Sequence, residues 1–277
     1  MGQRHLNVFY PQWQGGGKAL MDGALELDSK YLQEFPFVRI PVSSEAALRT
    51  ENGIIGYASI LKQLRDAHQM ITAEAPDTIF TVGGGCDSEI PAVSYLNNLL
   101  QGDLTVLWID AHGDLNTPES SESKKFHGMP LRTLLGEGNP QMVEMLPRKL
   151  DSQQLILVGQ RSLDAPEAQY IQENAIEMYS VEALQKGLDD LLNSIEQKSK
   201  NVYIHIDLDV LDFGEFPFVN IPEADGLKVK VLLDVLRKID ERFHVKGMSL
   251  LEYTGSGNDQ IEFLQKVIEM GTKLGAK

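Results

Sequence analysis

The chain has 277 residues, 42% of them hydrophobic, and its 40 acidic against 25 basic side chains give a formal charge of -15 and a pI near 4.8. That balance excludes nucleic acid and anionic membrane as partners, because phosphate binding needs clustered Lys and Arg, and it leaves cations as natural ligands. A single cysteine, Cys86, excludes an intramolecular disulfide and a cysteine zinc cluster, and no stretch approaches the ~18 consecutive apolar residues of a membrane span.

In chain order, a short mixed start without a signal peptide's apolar stretch runs into a predicted strand at residues 6–10. A helix predicted over 46–73 precedes a strand at 78–82, which ends in Gly83-Gly84-Gly85-Cys86-Asp87. After a helix at 90–100, a strand at 104–109 runs directly into Asp110-Ala111-His112-Gly113-Asp114. Residues 117–125, rich in Ser, Glu and Lys, read as a mobile loop ending at Phe126-His127-Gly128. Next come a strand at 155–158 followed by Gly159-Gln160-Arg161, a helix at 181–198, and a strand at 202–207 that ends in Asp207-Leu208-Asp209. Residues 212–224 contain Pro217, Pro222 and Gly214, so neither regular helix nor central strand fits them. A helix at 228–243, a strand at 248–251 that leads to Glu252, and a helix at 260–274 complete the series.

Strand and helix alternate throughout, and the strands are nearly continuous apolar runs. Both features predict a mostly parallel sheet covered on both faces, built as one domain over residues 1–277, with the cytoplasm as the expected compartment. Ligands of such sheets bind beyond the carboxyl ends of the strands, where every chemically suggestive cluster of this chain falls.

The sharpest signal is the spacing of Asp110, His112 and Asp114. Alternate residues of an extended chain point to one side, so these three side chains start on the same side and can converge on one cation. Asp207 and Asp209 repeat the device about a hundred residues later, and the two acid-ended strands together look like a dinuclear site. His205, mid-strand among apolar neighbours, reads as a buried, hydrogen-bonded histidine rather than a ligand.

These motifs resemble the ureohydrolases, the arginase, agmatinase and formiminoglutamase group. The resemblance rests on Asp110-Ala-His112-Gly-Asp114, Asp207-Leu-Asp209 followed by Asp212, the glycines before Cys86, and Glu252, spanning residues 83–252 in the family's order. It implies a three-layer α/β/α sandwich and assembly as trimers or hexamers. It also implies two Mn²⁺ ions whose bridging hydroxide attacks a guanidinium carbon to release urea. On this resemblance Asp110 and Asp207 bridge the ions, His112 and Asp209 complete one shell, and Asp114 belongs to the other. Asn116 and Ser123 match positions that hold a substrate α-carboxylate, His127 the proton-transfer histidine, Asp164 and Glu167 acids near the α-amino group, and Glu252 the anchor of the guanidinium. The resemblance is closer to arginase than to agmatinase, and the substrate expected is a small cationic guanidino or amidino compound.

The chain departs from the pattern at three positions. Cys86 stands where the family carries a histidine ligand. It is either a thiolate ligand, which would favour Zn²⁺ or Fe²⁺ over Mn²⁺, or a buried thiol that leaves the first ion weakly held. Lys125 replaces a small amide near the substrate carboxylate, and Ile221 replaces a hydroxyl near the guanidinium. A plainer reading remains for Asp164 and Glu167 as caps of a following helix, and the whole chain has a second reading as a non-catalytic or single-metal binding subunit of the same fold.

Overall fold

A computed structural model describes residues 3–44, 48–257 and 261–275. One eight-stranded sheet carries the molecule, built from β1 (His5–Tyr10), β2 (Val38–Arg39), β5 (Thr78–Gly83), β6 (Thr105–Ile109), β7 (Leu155–Val158), β8 (Glu177–Tyr179), β9 (Asn201–Ile206) and β10 (His244–Leu250). Its order is β2-β1-β5-β10-β9-β6-β7-β8, and every neighbouring pair is parallel. Between β2 and β5, β3 (Thr50–Glu51) and β4 (Ile54–Ile55) form a small antiparallel hairpin.

Parallel strands need crossovers, and the helices supply them on both faces. They are α1 (Lys18–Leu27), α2 (Tyr57–Glu74), α3 (Ile90–Leu99), α4 (Pro130–Leu134), α5 (Pro140–Val143), α6 (Ala165–Glu173), α7 (Val181–Lys186), α8 (Asp189–Lys198), α9 (Val229–Arg242) and α10 (Glu262–Gly271). The alternation of strand side chains divides the interior in two. Leu107 and Ile109 of β6 join Val202, Ile204 and Ile206 of β9 beneath α1, α8, α9 and α10. Val106, Trp108 and Tyr203 point the other way, beneath α2, α3, α4 and α6. Each fully buried Leu or Ile contributes about 1.5–3 kcal/mol, so burial on both faces fixes the register of the central strands. The parallel sheet covered on both faces that the alternation predicts, and the α/β/α sandwich that the resemblance implies, are what the chain forms.

Three predicted helices have different bounds. The helix expected over 46–73 begins only at Tyr57: Asn52 and Gly53 both adopt positive φ (50° and 73°) and turn the chain into the β3–β4 hairpin. Asn-Gly favours such turns, and here that local preference outweighs the apolar spacing; residues 46 and 47 lie outside the described ones. The stretch 181–198 divides at Gly187 and Leu188 into α7 and α8. The last helix starts at Glu262 and ends at Gly271, and residue 260 lies outside the described ones. Helices α1, α4 and α5 and edge strands β2 and β8 went unread because they are short, and α6 was anticipated only as the helix that Asp164 and Glu167 cap. Among the described residues no helix is long and apolar enough to cross a membrane.

Candidate metal centre and its cavity

Five adjacent strands, β5, β10, β9, β6 and β7, end side by side, and their carboxyl ends deliver the candidate residues to one place. Beyond β6, Asp110 and Asp114 are buried and His112 is half-buried. Asp114 adopts a left-handed backbone (φ 53°), and its carbonyl accepts hydrogen bonds from Leu131 and Arg132 N–H at the start of α4. Glu252, one residue past a bridge that continues β10, is also left-handed (φ 63°), with its N–H on the Gly84 carbonyl. Such conformations cost a non-glycine residue of order 1–3 kcal/mol and persist where the surroundings over-determine them.

The β9 end is shaped by Asp207, whose carboxylate accepts the Asp209 N–H at 2.8 Å and caps a short 3₁₀ turn at Leu208–Val210. Arg161, beyond β7, donates to the carbonyls of Gly159, Asp209, Val210 and Glu223, tying the β7 end to the irregular segment at 212–224. The β5 end buries Cys86 and Asp87. Cys86 Sγ donates to Asp207 Oδ2 at 3.1 Å, and its N–H to Glu252 Oε1 at 3.2 Å.

The potential ligand atoms fall into three overlapping groups, each within 4.8 Å: Cys86, Asp110, Asp114 and His205; Asp110, His112 and Asp209; and Cys86, Asp207 and Glu252. Asp110 belongs to the first two. His112 Nδ1 lies 2.9 Å from Asp209 Oδ2, and the His112 and Ala111 N–H groups donate to Asp110 and Asp209.

The electrostatics are those of crowded buried acids. Burial, then the charge of Asp110, pushes the Asp114 carboxyl well above its ordinary range; burial, then Asp209 and Asp110, does the same to Asp207. Burial and Asp110 push Asp209 up to about 6, with His112 opposing. Burial raises Asp110 too, but the imidazoles of His112 and His205 outweigh it and hold that carboxyl below the ordinary range. Burial disfavours His112's charge, yet Asp110 and Asp209 raise it to about 12. Burial raises the Cys86 thiol well above its usual value, as do Asp207 and Asp114. Asp114 Oδ2 and His205 Nε2 have no hydrogen-bond partner although buried. Buried acids at this density are costly without counter-charge, and the donor set of carboxylates and imidazole fits hard divalent cations such as Mn²⁺.

Above the centre opens a cavity of about 340 Å³, lined by His112, Asp114, Asn116, Ser121, Glu122, Ser123, His127, Ser162, Asp164, Glu167, Asp207, Asp209, Ile221, Glu223 and Glu252. It is a more acidic pocket than the motifs alone announced. His127 Nδ1 sits 3.1 Å from Glu252 Oε1; burial lowers its basicity, but Glu252 and Asp87 outweigh burial and raise it. Glu167 accepts the Leu115 N–H and, as a helix cap, the Asp164 N–H. Asn116 donates its amide to Asp164 at 2.9 Å and accepts from Ser120. Asp164 and Glu167 therefore both open α6 and face the cavity. Residues 117–125 are tied internally, by Thr117 N–H to Ser120 Oγ and Lys124 N–H to Ser121 Oγ. Ser123 is exposed at the rim; Lys125 does not line the cavity, although its charge reaches His127. Asp212 turns away to pair with Lys228.

Sequence reading passed over Glu122, Ser162 and Glu223 on the wall and Glu89 below the centre. The wall residues come from irregular segments with no periodicity to flag them. Glu89 stands three residues after Cys86, but only the fold brings it under β9.

The chain matches the arginase family over residues 16–260. It is 30% identical over 250 residues to an arginase of Staphylococcus aureus (strain MSSA476), covering 86% of this chain and 82% of that one. Its fold superposes on the crystal structure of the Entamoeba histolytica arginase in complex with L-ornithine with a TM-score of 0.84 at 19% identity, covering 100% and 99% of the two chains. It likewise superposes on the formimidoylglutamase of Bacillus subtilis with a TM-score of 0.68 at 18% identity, covering 99% of this chain and 86% of that one.

Proposed function

The chain belongs to the arginase family, and from that premise we propose that it is a metal-dependent hydrolase that cleaves a guanidino C–N bond and releases urea, with L-arginine as the first substrate to test. The observation that carries this reading is one buried carboxylate, Asp110, shared between two ligand groups directly beneath an acid-lined cavity that also holds the His127–Glu252 pair.

In this reading two Mn²⁺ ions would be held by Asp110 and Asp207 in common, with His112 and Asp209 serving one and Asp114 the other. Bound there, two divalent cations supply a water made nucleophilic near neutral pH. The side chains do the rest. A guanidinium carries a permanent, delocalised charge, and the Glu252 carboxylate at the cavity floor orients it by charge-assisted hydrogen bonds. The acidic wall of Asp164, Glu167, Glu122 and Glu223 draws a cation in and excludes anions. In the same reading Asn116 and Ser123 meet a substrate carboxylate at the rim, with Asp164 and Glu167 beside the amino group. Water adds to the guanidinium carbon, the C–N bond to the side-chain nitrogen breaks, and that nitrogen needs a proton to leave as an amine. His127, whose proton is held by Glu252 and Asp87, is in position to deliver it.

The test is urea release by the Mn²⁺-loaded protein from L-arginine and from agmatine, with formamide release from formiminoglutamate measured alongside. Urea from arginine supports the reading; turnover of agmatine alone moves the substrate assignment. No turnover with two ions bound would overturn the activity and favour the binding-subunit reading, for which the Cys86 thiol spent on Asp207 is the one supporting observation.

A further inference from the structure

His205 was expected to be a buried histidine with its hydrogen bonds satisfied, and only half of that holds. Its Nδ1 lies 2.6 Å from Glu89 Oε1, but its Nε2 is buried without a hydrogen-bond partner among the described residues. The ring is fully buried and stacked on Trp108, with centroids 3.7 Å apart and planes 9° from parallel. Glu89 is itself held, its second oxygen accepting from Ser249 Oγ at 2.5 Å. Ring plane and tautomer are therefore set from behind, and the free nitrogen faces the centre, 3.6 Å from Asp110 Oδ2 and grouped with Cys86, Asp110 and Asp114.

A carboxylate behind a histidine whose other nitrogen faces a cluster of acids is the arrangement that orients metal-bound imidazoles in general. Donor atoms about 2.1 Å from a shared ion stand about 3 to 4.2 Å apart, and the separation of Nε2 from Asp110 falls inside that range. A purely structural histidine, by contrast, would either leave a buried ring nitrogen unpaired at a cost of about 1–3 kcal/mol or hold a buried charge against Asp110 at 3.6 Å, too long for a hydrogen bond.

We propose that His205, oriented by Glu89, is a metal ligand of this chain and supplies the imidazole to the ion held by Asp110 and Asp114, where Cys86 occupies the position from which a histidine would otherwise reach. The assignment rests on the metal-centre reading of the preceding subsection. It gives the first site a nitrogen donor from β9 instead of the β5 end and leaves the Cys86 thiol free to donate to Asp207. It also makes the donor set one of imidazole and carboxylate, which suits Mn²⁺ better than a thiolate set does. Glu89 acts only through His205 and is a positioning residue.

The direct test is a crystal structure of the wild-type chain soaked in Mn²⁺, read at the anomalous signal. An ion within about 2.4 Å of His205 Nε2 and of the Asp110 and Asp114 carboxylates is the expected result. An ion bound by the carboxylates with Nε2 left beyond about 3 Å would overturn the assignment while leaving the family reading intact. A chain that takes up no ion would overturn both. Calorimetric titration with Mn²⁺ gives the second readout. His205→Gln should weaken one of the two ions by at least tenfold and spare the other, and Glu89→Gln should weaken the same ion by about 10- to 100-fold. Unchanged affinity in a folded Glu89→Gln variant would deny the positioning role.

Discussion

Two regions use carboxylates in opposite ways, one set fully buried and the other half-buried. At the centre, Asp114, Asp207 and Asp209 crowd together with few donors, and burial and mutual repulsion push all three upward. At the end of α1, Glu26 accepts from Lys30 Nζ, Tyr253 OH, the Ser256 N–H and Oγ, and the Gly257 N–H, and although burial acts against it, those donors hold it down at about 2. The chemical group is the same and desolvation opposes its charge in both places; the supply of hydrogen atoms differs. A carboxylate surrounded by donors is a structural tie, here securing the segment just after Glu252. Carboxylates surrounded by one another lack counter-charge, and that deficit marks a candidate cation site.

The comparison breaks most severely if Asp110 is dispensable. Because it joins two ligand groups, Asp110→Ala should abolish uptake of both ions and lower urea release by at least on the order of 10³-fold. Unchanged metal content by elemental analysis would sink the centre as described. Next in size, His127→Ala should lower kcat by about 10²- to 10⁴-fold with two ions still bound, since the side chain handles a proton and holds no metal; loss of the ions as well would give it a different role.

The charge deficit itself predicts a pH signature. Asp209 and Asp87 are raised to about 6 and about 7, so the stability tied to their protonation is present below the ordinary carboxyl range and lost as pH rises through those values. Without metal, these two groups should therefore destabilise the chain progressively from about pH 4, the ordinary carboxyl range, to about pH 7. Mn²⁺ at a hundredfold excess over Kd should raise Tm by about 5 to 10 °C at pH 8, and the gain should shrink towards pH 5 as protons compete for the same oxygens. A metal-induced shift independent of pH in scanning calorimetry would contradict this.

The opposite sign applies to Glu26. Its depressed value contributes stability above about pH 4.5 that is lost as pH falls towards about 2. Glu26→Gln should cost about 1–2 kcal/mol at pH 7, discounted for its partial exposure, and nothing near pH 2. Denaturant titrations at the two pH values would show it, and an equal loss at both would mean that packing, not charge, is responsible.

Much of this was legible before folding. The central strands were readable because burial on both faces demands unbroken apolar runs, and Asp110, His112, Asp114, Asp207 and Asp209 because a strand's period of two is visible in a string of letters. Element ends were less so: the turn at Asn52-Gly53 cut short a helix that apolar spacing alone had extended. Glu122, Ser162 and Glu223 come from irregular segments, where position depends on the packing of distant parts and no local pattern encodes it. His205 shows the limit best, since its apolar neighbours suggested a satisfied core residue and only the register of β9 against β6 leaves Nε2 facing Asp110.

The sequence by itself determined the class of fold and the strand ends that bear acid, and through them where a cation site is to be sought, because these follow from periodicities of two and about 3.6 residues and from which groups tolerate burial. Only the tertiary structure decided which acids gather within a few ångströms of one another, which are tied off by donors, and that Glu89, 116 residues from His205, stands behind its ring. Those are facts about through-space distance, which is set by sheet order and crossover packing rather than by separation along the chain.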